Sequence, residues 1–214
     1  MVDISLPDCE DCVLDKLVKL GIPCIAMTGT FHTGLRDKVI DKKLIDYIVL
    51  EDDQNFDILK GTIRRFVNNK NTKVLVVDDS ISSRVILKEL LTHQNYTVLE
   101  AHNAAYALKL IKENEIKLAL IDYQMPQMKG TELARAIRKN YSRSELAILA
   151  ISAYTEPIIT IEFLKAGAND FVTKPFLKEE VLARIGVSID MLDQHQILKA
   201  TEMEKKLLES EENK

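Results

Sequence analysis

The chain has 214 residues, 46% hydrophobic and 29% charged, enough for one or two globular domains with a buried core. Its net charge of −4 leaves no electrostatic footprint for nucleic acid or an anionic membrane. No run approaches ~18 uninterrupted apolar residues and no charged segment with an apolar core opens the chain, so neither membrane spanning nor secretion is supported.

In chain order, the sequence begins with "VDISLPDCED", an acid at the end of an apolar stub followed by a proline turn. Cys9 and Cys12 form a C-x-x-C pair, but no second pair or nearby His completes four zinc ligands. The alternative is two small residues near the start of a helix, and the odd count of three cysteines fits a reducing cytoplasm. Helices are expected near Cys12 to Leu20 (ended by Gly21), Leu35 to Lys43 and Phe56 to Val67, with strands in "CIAMTG" and "DYIVL". The polar run "NNKNT", residues 68–72, is the linker candidate. Beyond it, "KVLVV" is a short apolar strand, and Ile81, Val85, Ile86, Leu90 and Leu91 recur at helical spacing up to His93. "TVLEA" is the next strand, then a helix through Tyr106, Leu110 and Ile111. "LALI" and "AILAI" enclose a helix from about Thr131 to Lys139, and a helix near Glu156 to Lys165 stops at Gly167, a residue suited to a left-handed cap. "DFVT" is the fifth strand, and a last helix starts near Lys178. The alternation predicts an α/β fold, a doubly wound five-stranded parallel sheet covered on both faces.

In such sheets ligands sit beyond the carboxyl ends of the strands. Asp78 and Asp79 end the first of the five strands, Asp122 the third and Ser152 the fourth, while Lys174 follows the fifth. Clustered carboxylates with oxygen-only donors select a magnesium ion. A nucleophilic carboxylate beside that ion is equipped to take a phosphoryl group. A hydroxyl and an ammonium would then hold the phosphoryl oxygens. Taken singly, an Asp after a strand is often a helix cap and a Lys is usually a solvated charge; five such residues at strand ends make that joint reading poor.

"VLVVDDS", "LIDYQMPQMKG", "AISA" and "GANDFVTKPF" resemble the flavodoxin-like receiver domain of bacterial two-component response regulators, in order, over residues 73–187. The resemblance implies that Asp122 is the phosphoacceptor, and that Asp78, Asp79, Asp122 and the backbone carbonyl of Gln124 hold Mg2+. Ser152 would be the switch hydroxyl, Phe171 the switch aromatic, and Lys174 the phosphoryl partner, joined to Pro175 by a cis peptide. Ser152 stands where Thr is commoner, and Phe171 lacks the hydroxyl of the common Tyr. The implied donor is a sensor histidine kinase or phosphotransfer protein, and the implied compartment is cytoplasmic. No enzyme activity beyond self-phosphorylation and autodephosphorylation is implied, and no nucleic-acid or membrane partner. A dehalogenase-type phosphatase also uses an Asp nucleophile and magnesium, but Gln124 stands where its second acid belongs. A flavodoxin-like electron carrier lacks support because Asp78 and Asp79 would repel a flavin phosphate, and a pure scaffold would need neither the acidic pair nor the lysine.

The opening stretch now has a reading. Laying Asp3 on Asp122 brings Leu6 onto Met125 and Pro7 onto Pro126, and further on "CIAMTG" reads like "LAISA", which sets Thr28 at the position of Ser152. The intervals from Thr28 to Asp46 and Tyr47 equal those from Ser152 to Asp170 and Phe171. Residues 1–67 are therefore read as a partial, degenerate second receiver, with Leu50 and Glu51 in place of the lysine and proline and no acidic pair. This unit is expected to be chemically silent. It belongs to a longer tandem-receiver protein with an output domain such as a diguanylate cyclase, or else it is completed by docking elsewhere. Residues 188–214 are expected as an extended helix or tail, with Leu182, Ile185, Ile189 and Leu192 at alternating spacings of three and four. Ile189 and Leu192 are read as a short seam for a homodimer through the receiver's fourth helix, fifth strand and fifth helix.

Overall fold

Both sheets of the protein are wholly parallel, as strands apolar on two faces require. The computed structural model describes residues 2–3, 12–28, 44–49 and 55–212. The chain divides into two units, Met1–Asn71 with Leu91–Tyr96 and Thr72–Leu90 with Thr97–Lys214.

In the first unit, β1 (Val2–Asp3), β2 (Ile25–Thr28) and β3 (Asp46–Val49) form a sheet in that order, with α1 (Cys12–Lys19) and α2 (Asn55–Asn69). Alternation along β2 sends successive side chains to opposite faces. Cys24 and Ala26 are buried with Leu14 of α1, and Ile25 is buried with Ile48 and Leu59 of α2. The register pairs Asp3 with Met27 and Thr28 with Val49. In the second unit Asp122 pairs with Ile151 and Ser152 with Thr173. The expected helix from Leu35 to Lys43, and Leu6, Pro7, Cys9, Leu50 and Glu51, lie outside the described residues. The polar run expected as a linker is partly helical: α2 continues through Asn69, and Asn71 N closes the turn on Asn68 O at 3.0 Å. Polar side chains suit this last turn, whose carbonyls are left without helical partners.

The second unit contains β4 (Lys73–Val77), α3 (Ile81–His93) as far as Leu90, β5 (Thr97–Ala101), α4 (Ala104–Glu113), β6 (Leu118–Asp122), α5 (Gly130–Arg138), β7 (Ala147–Ser152), α6 (Pro157–Ala166), β8 (Asp170–Thr173) and α7 (Lys178–Glu212). The sheet order is β5-β4-β6-β7-β8, so the chain reverses direction across the sheet beside β4. That reversal opens a crevice at the carboxyl ends of β4 and β6. On one face Leu75, Val77, Ala119, Ile121, Ile148 and Ala150 pack with Leu110, Leu133, Ile137 and Phe163 of α4, α5 and α6. The alternate residues Val74, Val76, Leu118, Leu120 and Leu149 are equally buried, and α7 packs on β6 and β7.

Two helix ends show how the chain is terminated locally. Asn103 Oδ1 caps α4 by accepting from Tyr106 N at 2.8 Å, and Gly167 ends α6 at φ +106°, where a Cβ would also meet Arg138 Cγ at 2.6 Å. Arg138 donates from Nε to Gly167 O at 2.8 Å, from Nη1 to Leu146 O at 2.9 Å and from Nη2 to Asn169 Oδ1 at 2.9 Å. Burial, and secondarily the charge of Arg143, lowers this guanidinium to about 10.

The C-terminal helix corrects one expectation. Ile189 and Leu192, read as a seam for a partner, are 4% and 1% exposed within their own unit, as are Val181 and Ile185 at 0%. The packed face of α7 thus continues beyond Val187, and Lys117 Nζ meets Asp193 Oδ1 at 2.6 Å. A three-and-four spacing marks a buried helix face, whether the cover is a second helix or the chain's own sheet.

Candidate functional site at the carboxyl ends of the strands

Each candidate residue is delivered by the end of a strand. Asp78 follows β4, Asp122 ends β6, Ser152 ends β7 and Lys174 follows β8. Lys174 N donates to Ser152 O at 2.6 Å, extending the β7–β8 ladder one step, and the Lys174–Pro175 peptide is cis. From there Lys174 Nζ reaches Asp122 Oδ1 at 2.6 Å and Asp78 Oδ2 at 2.7 Å. The remaining carboxylate oxygens accept from backbone amides: Asp78 Oδ1 from Ser80 N and Asp122 Oδ2 from Gln124 N, both at 2.8 Å.

Gly130 sets the floor of the site. Its amide donates to Tyr123 O at 2.8 Å, and a Cβ there would stand 2.1 Å from Asp122 O and 2.8 Å from Phe163 Cζ. Only a residue without a side chain lets α5 begin this close to the end of β6.

The charges of the site are strongly coupled. Burial pushes the Asp122 carboxyl up; the bond and charge of Lys174 pull it down, Asp78 raises it again, and it ends above its ordinary value. Burial draws the Lys174 ammonium down, but its bonds to Asp122 and Asp78 outweigh this and hold it above its ordinary value. A carboxyl raised in spite of an ammonium at contact distance shows burial outweighing the ion pair.

Not every expected residue joins this cluster. Asp79 is exposed, and its described bond is through its carbonyl, which accepts from Arg84 Nη1 at 3.1 Å. Among the described residues no three acid, imidazole or thiol groups gather closely enough to hold a metal ion. Lys174 instead bridges the two buried carboxylates, sharing one positive charge between them. The donor chemistry still fits magnesium, because that ion is usually held by one or two carboxylates, with water and phosphate oxygens completing its shell. Phe171 is 8% exposed, with its ring centroid 6.1 Å from that of Phe163.

Several neighbours were not found from sequence. Arg84 Nη1 also donates to Asp78 O at 2.7 Å, fixing the turn that carries the acidic pair. A basic residue one turn into the helix after the pair was the available signal. Ser152 Oγ, fully buried, accepts from Tyr154 N at 2.9 Å, and the Tyr154 hydroxyl donates to Gln124 Oε1. The Tyr154 ring packs edge-on to Tyr123 at 5.7 Å, and Tyr123 packs on Phe163 at 5.8 Å.

A doubly wound sheet with a lysine bridging two carboxylates at its switch point is the arrangement expected of a receiver domain. The response regulator receiver domain family matches residues 74–186, more than half of the chain, and the chain belongs to that family. It is a receiver domain of two-component systems. It is 36% identical over 115 residues to a chemotaxis protein CheY homologue of Campylobacter jejuni, covering 51% of this chain and 88% of that one. The phosphate regulon transcriptional regulatory protein PhoB of Pseudomonas aeruginosa is 33% identical over 52% of this chain and 49% of its own length. Histidine kinase P4 of Formosa agariphila is 33% identical over 64% of this chain but only 9% of its own. The chain thus spans less than half the length of several relatives it matches. Among solved structures, a protein described as a two-component system response regulator/GGDEF domain protein superposes with a TM-score of 0.77 at 33% identity, over 90% of this chain and 79% of that one. A CheY-like receiver from Methanospirillum hungatei gives 0.55 at 27% identity, over 58% and 98%. No helix among the described residues is long and apolar enough to cross a membrane.

Proposed function

We propose that Asp122 accepts a phosphoryl group from a phosphohistidine of a sensor kinase or phosphotransfer protein. The observation that carries this reading is the Lys174 ammonium held between Asp122 and Asp78 at 2.6 and 2.7 Å. An Asp122 oxygen attacks phosphorus, the phosphorus–nitrogen bond breaks, and its electron pair returns to the imidazole. Lys174 keeps Asp78 and exchanges Asp122 for a phosphoryl oxygen, so its charge is neutralised throughout. Ser152 turns its hydroxyl toward another phosphoryl oxygen and gives up its bond to Tyr154 N, and Phe171 follows the vacated space. Asp78, Asp79, Asp122 and the Gln124 carbonyl would hold Mg2+, which when bound offsets charge on the phosphoryl oxygens. Signalling chemistry is confined to gaining and losing this group.

Incubation with acetyl phosphate and magnesium, followed by intact mass and peptide mapping, tests the reading. One phosphoryl group is expected, on Asp122, lost in Asp122→Asn and in the presence of a chelator. Phosphate on Asp3, or uptake that survives chelation, would refute it.

The first unit supports a second reading, that residues 1–67 are the back half of a degenerate receiver. Asp3 pairs with Met27 as Asp122 pairs with Ile151, and Thr28 with Val49 as Ser152 with Thr173. Residues 73–214 make up two thirds of the chain, so the match over 90% to the GGDEF-domain protein takes in most of the first unit as well. The domain plan is then a partial receiver over 1–67, a linker over 68–72, a phosphoacceptor receiver over 73–187 and a helical extension over 188–214. It forms the regulatory part of a tandem-receiver protein with an output module such as a diguanylate cyclase.

Association of two chains uses the α6, β8 and α7 face, where Ile158, Ile161 and Leu177 are 59%, 44% and 61% exposed. Their exposure, in place of the buried Ile189 and Leu192, now supports that surface. Sedimentation is expected to show a monomer converting to a dimer with beryllofluoride and magnesium; an unchanged monomer would exclude self-association as the response.

A further inference from the structure

Arg84 grips the backbone of the acidic pair and not its carboxylates. From the first turn of α3 its Nη1 donates to Asp78 O at 2.7 Å and to Asp79 O at 3.1 Å, the two carbonyls of the turn that joins β4 to α3. Its Nε lies 3.8 Å from Glu100 Oε2, and Glu100 Oε1 accepts from Lys88 Nζ at 2.5 Å. Arg84 and Lys88, four residues apart, share one face of α3, and both reach Glu100 on β5, which is in register with Val76 of β4. The Arg84 side chain is 14% exposed, so this clasp is largely shielded from water.

We infer that Arg84 is a positioning residue for magnesium, and that with Glu100 behind it the guanidinium fixes the turn so that the Asp79 carboxylate is ordered before the ion arrives. The inference rests on the reading that Asp78, Asp79 and Asp122 hold the ion. Asp78 is fixed without Arg84, since its carboxylate meets both Lys174 Nζ and Ser80 N. Asp79 is exposed, and the bond that holds it is the one its carbonyl accepts from Arg84. An exposed carboxylate on a loose turn must be ordered when an ion binds, and that cost is taken from the affinity. An arginine beside two aspartates also has a competing choice, a charge-assisted pair with a carboxylate that the metal needs. Glu100 offers the guanidinium a different carboxylate, and Lys88 in turn holds Glu100 in place. The charge of Arg84 by itself repels a divalent cation, so field and geometry demand opposite results when that side chain is removed.

The test is titration of the unphosphorylated full chain with magnesium chloride, followed by the amide resonances of Asp79 and Gln124, in the parent, Arg84→Met, Arg84→Lys and Lys88→Met. The denaturant midpoint of each is measured beside it, so that affinities are compared between folded chains. Arg84→Met is expected to bind magnesium about tenfold more weakly than the parent, although it removes a positive charge from the neighbourhood of the ion. Arg84→Lys keeps the charge but has no planar fork to span two carbonyls, and its affinity is expected to fall between the two. Lys88→Met removes the same charge from the next turn of the same helix and is expected to bind no more weakly than the parent. Parental or tighter binding by Arg84→Met, parental binding by Arg84→Lys, or equal weakening in Lys88→Met would overturn the clasp while leaving Asp122 as acceptor. No magnesium-dependent shift in the parent would overturn the metal reading and the clasp with it.

Discussion

Lys174→Ala is expected to cost about 3–5 kcal/mol of folding stability at neutral pH, the range for removing one partner of a buried ion pair. The lysine side chain is 22% exposed, and the Asp78 and Asp122 side chains it bridges are 4% and 11% exposed, so solvent cannot replace it. Without the ammonium the two carboxylates face each other, and Asp122, already raised by burial, is pushed further above its unfolded value. A raised group favours the folded state in acid and loses that favour as pH rises through its folded value. The penalty is therefore largest at neutral pH and shrinks as pH falls toward the ordinary carboxylate range. In the intact site the raised Lys174 contributes fully at neutral pH and is lost only as the ammonium itself titrates in alkali. Urea unfolding at pH 7 and pH 5 measures this; a cost that is flat with pH would show that the charges are not what the lysine serves.

The second large effect is expected at Gly130. Alanine there must relieve contacts of 2.1 Å with a backbone oxygen and 2.8 Å with the tip of a fully buried ring, neither of which is a flexible side-chain end. Overpacking of this kind costs about 3 kcal/mol. The oxygen belongs to Asp122, so the strain also displaces the residue proposed as acceptor. Gly130→Ala should slow phosphoryl uptake under conditions where it remains folded, whereas a purely structural lesson of the same size elsewhere in the core should not. Denaturant midpoints beside uptake rates separate the two, and a variant of parental stability would disprove the close approach.

Much of the fold was legible because its chemistry is local. Apolar runs such as Val74 to Val77 and Leu118 to Ile121 are buried on both faces of a sheet, and an Asp directly after such a run has one place to go. Gly167 was legible for the same reason, since a helix that must stop in the left-handed region selects glycine. The misread seam has an equally local cause. Ile189 and Leu192 satisfy the same spacing whether their cover is a partner or the sheet beneath them, so periodicity reports burial and stays silent about the burying surface. Asp78 and Asp79 are neighbours in sequence, and spacing does not tell which of them bonds to Lys174; in the structure it is Asp78. Tyr154 and the Gln124 side chain were missed because their contact depends on side-chain torsions across two loops, which no residue spacing encodes.

The length of α7 has a mechanical consequence. Its early turns are fixed, by Arg184 on Asp170 at 2.7 Å, by Val181, Ile185, Ile189 and Leu192 in the core, and by Asp193 on Lys117. From Asp193 to Glu212 the helix continues for about 28 Å at the ordinary helical rise. It is a lever with its fulcrum on the sheet. At that length a tilt of about 10° at the fulcrum would carry the far end through about 5 Å, close to one helical pitch, so a small rotation at the sheet would be magnified along the helix.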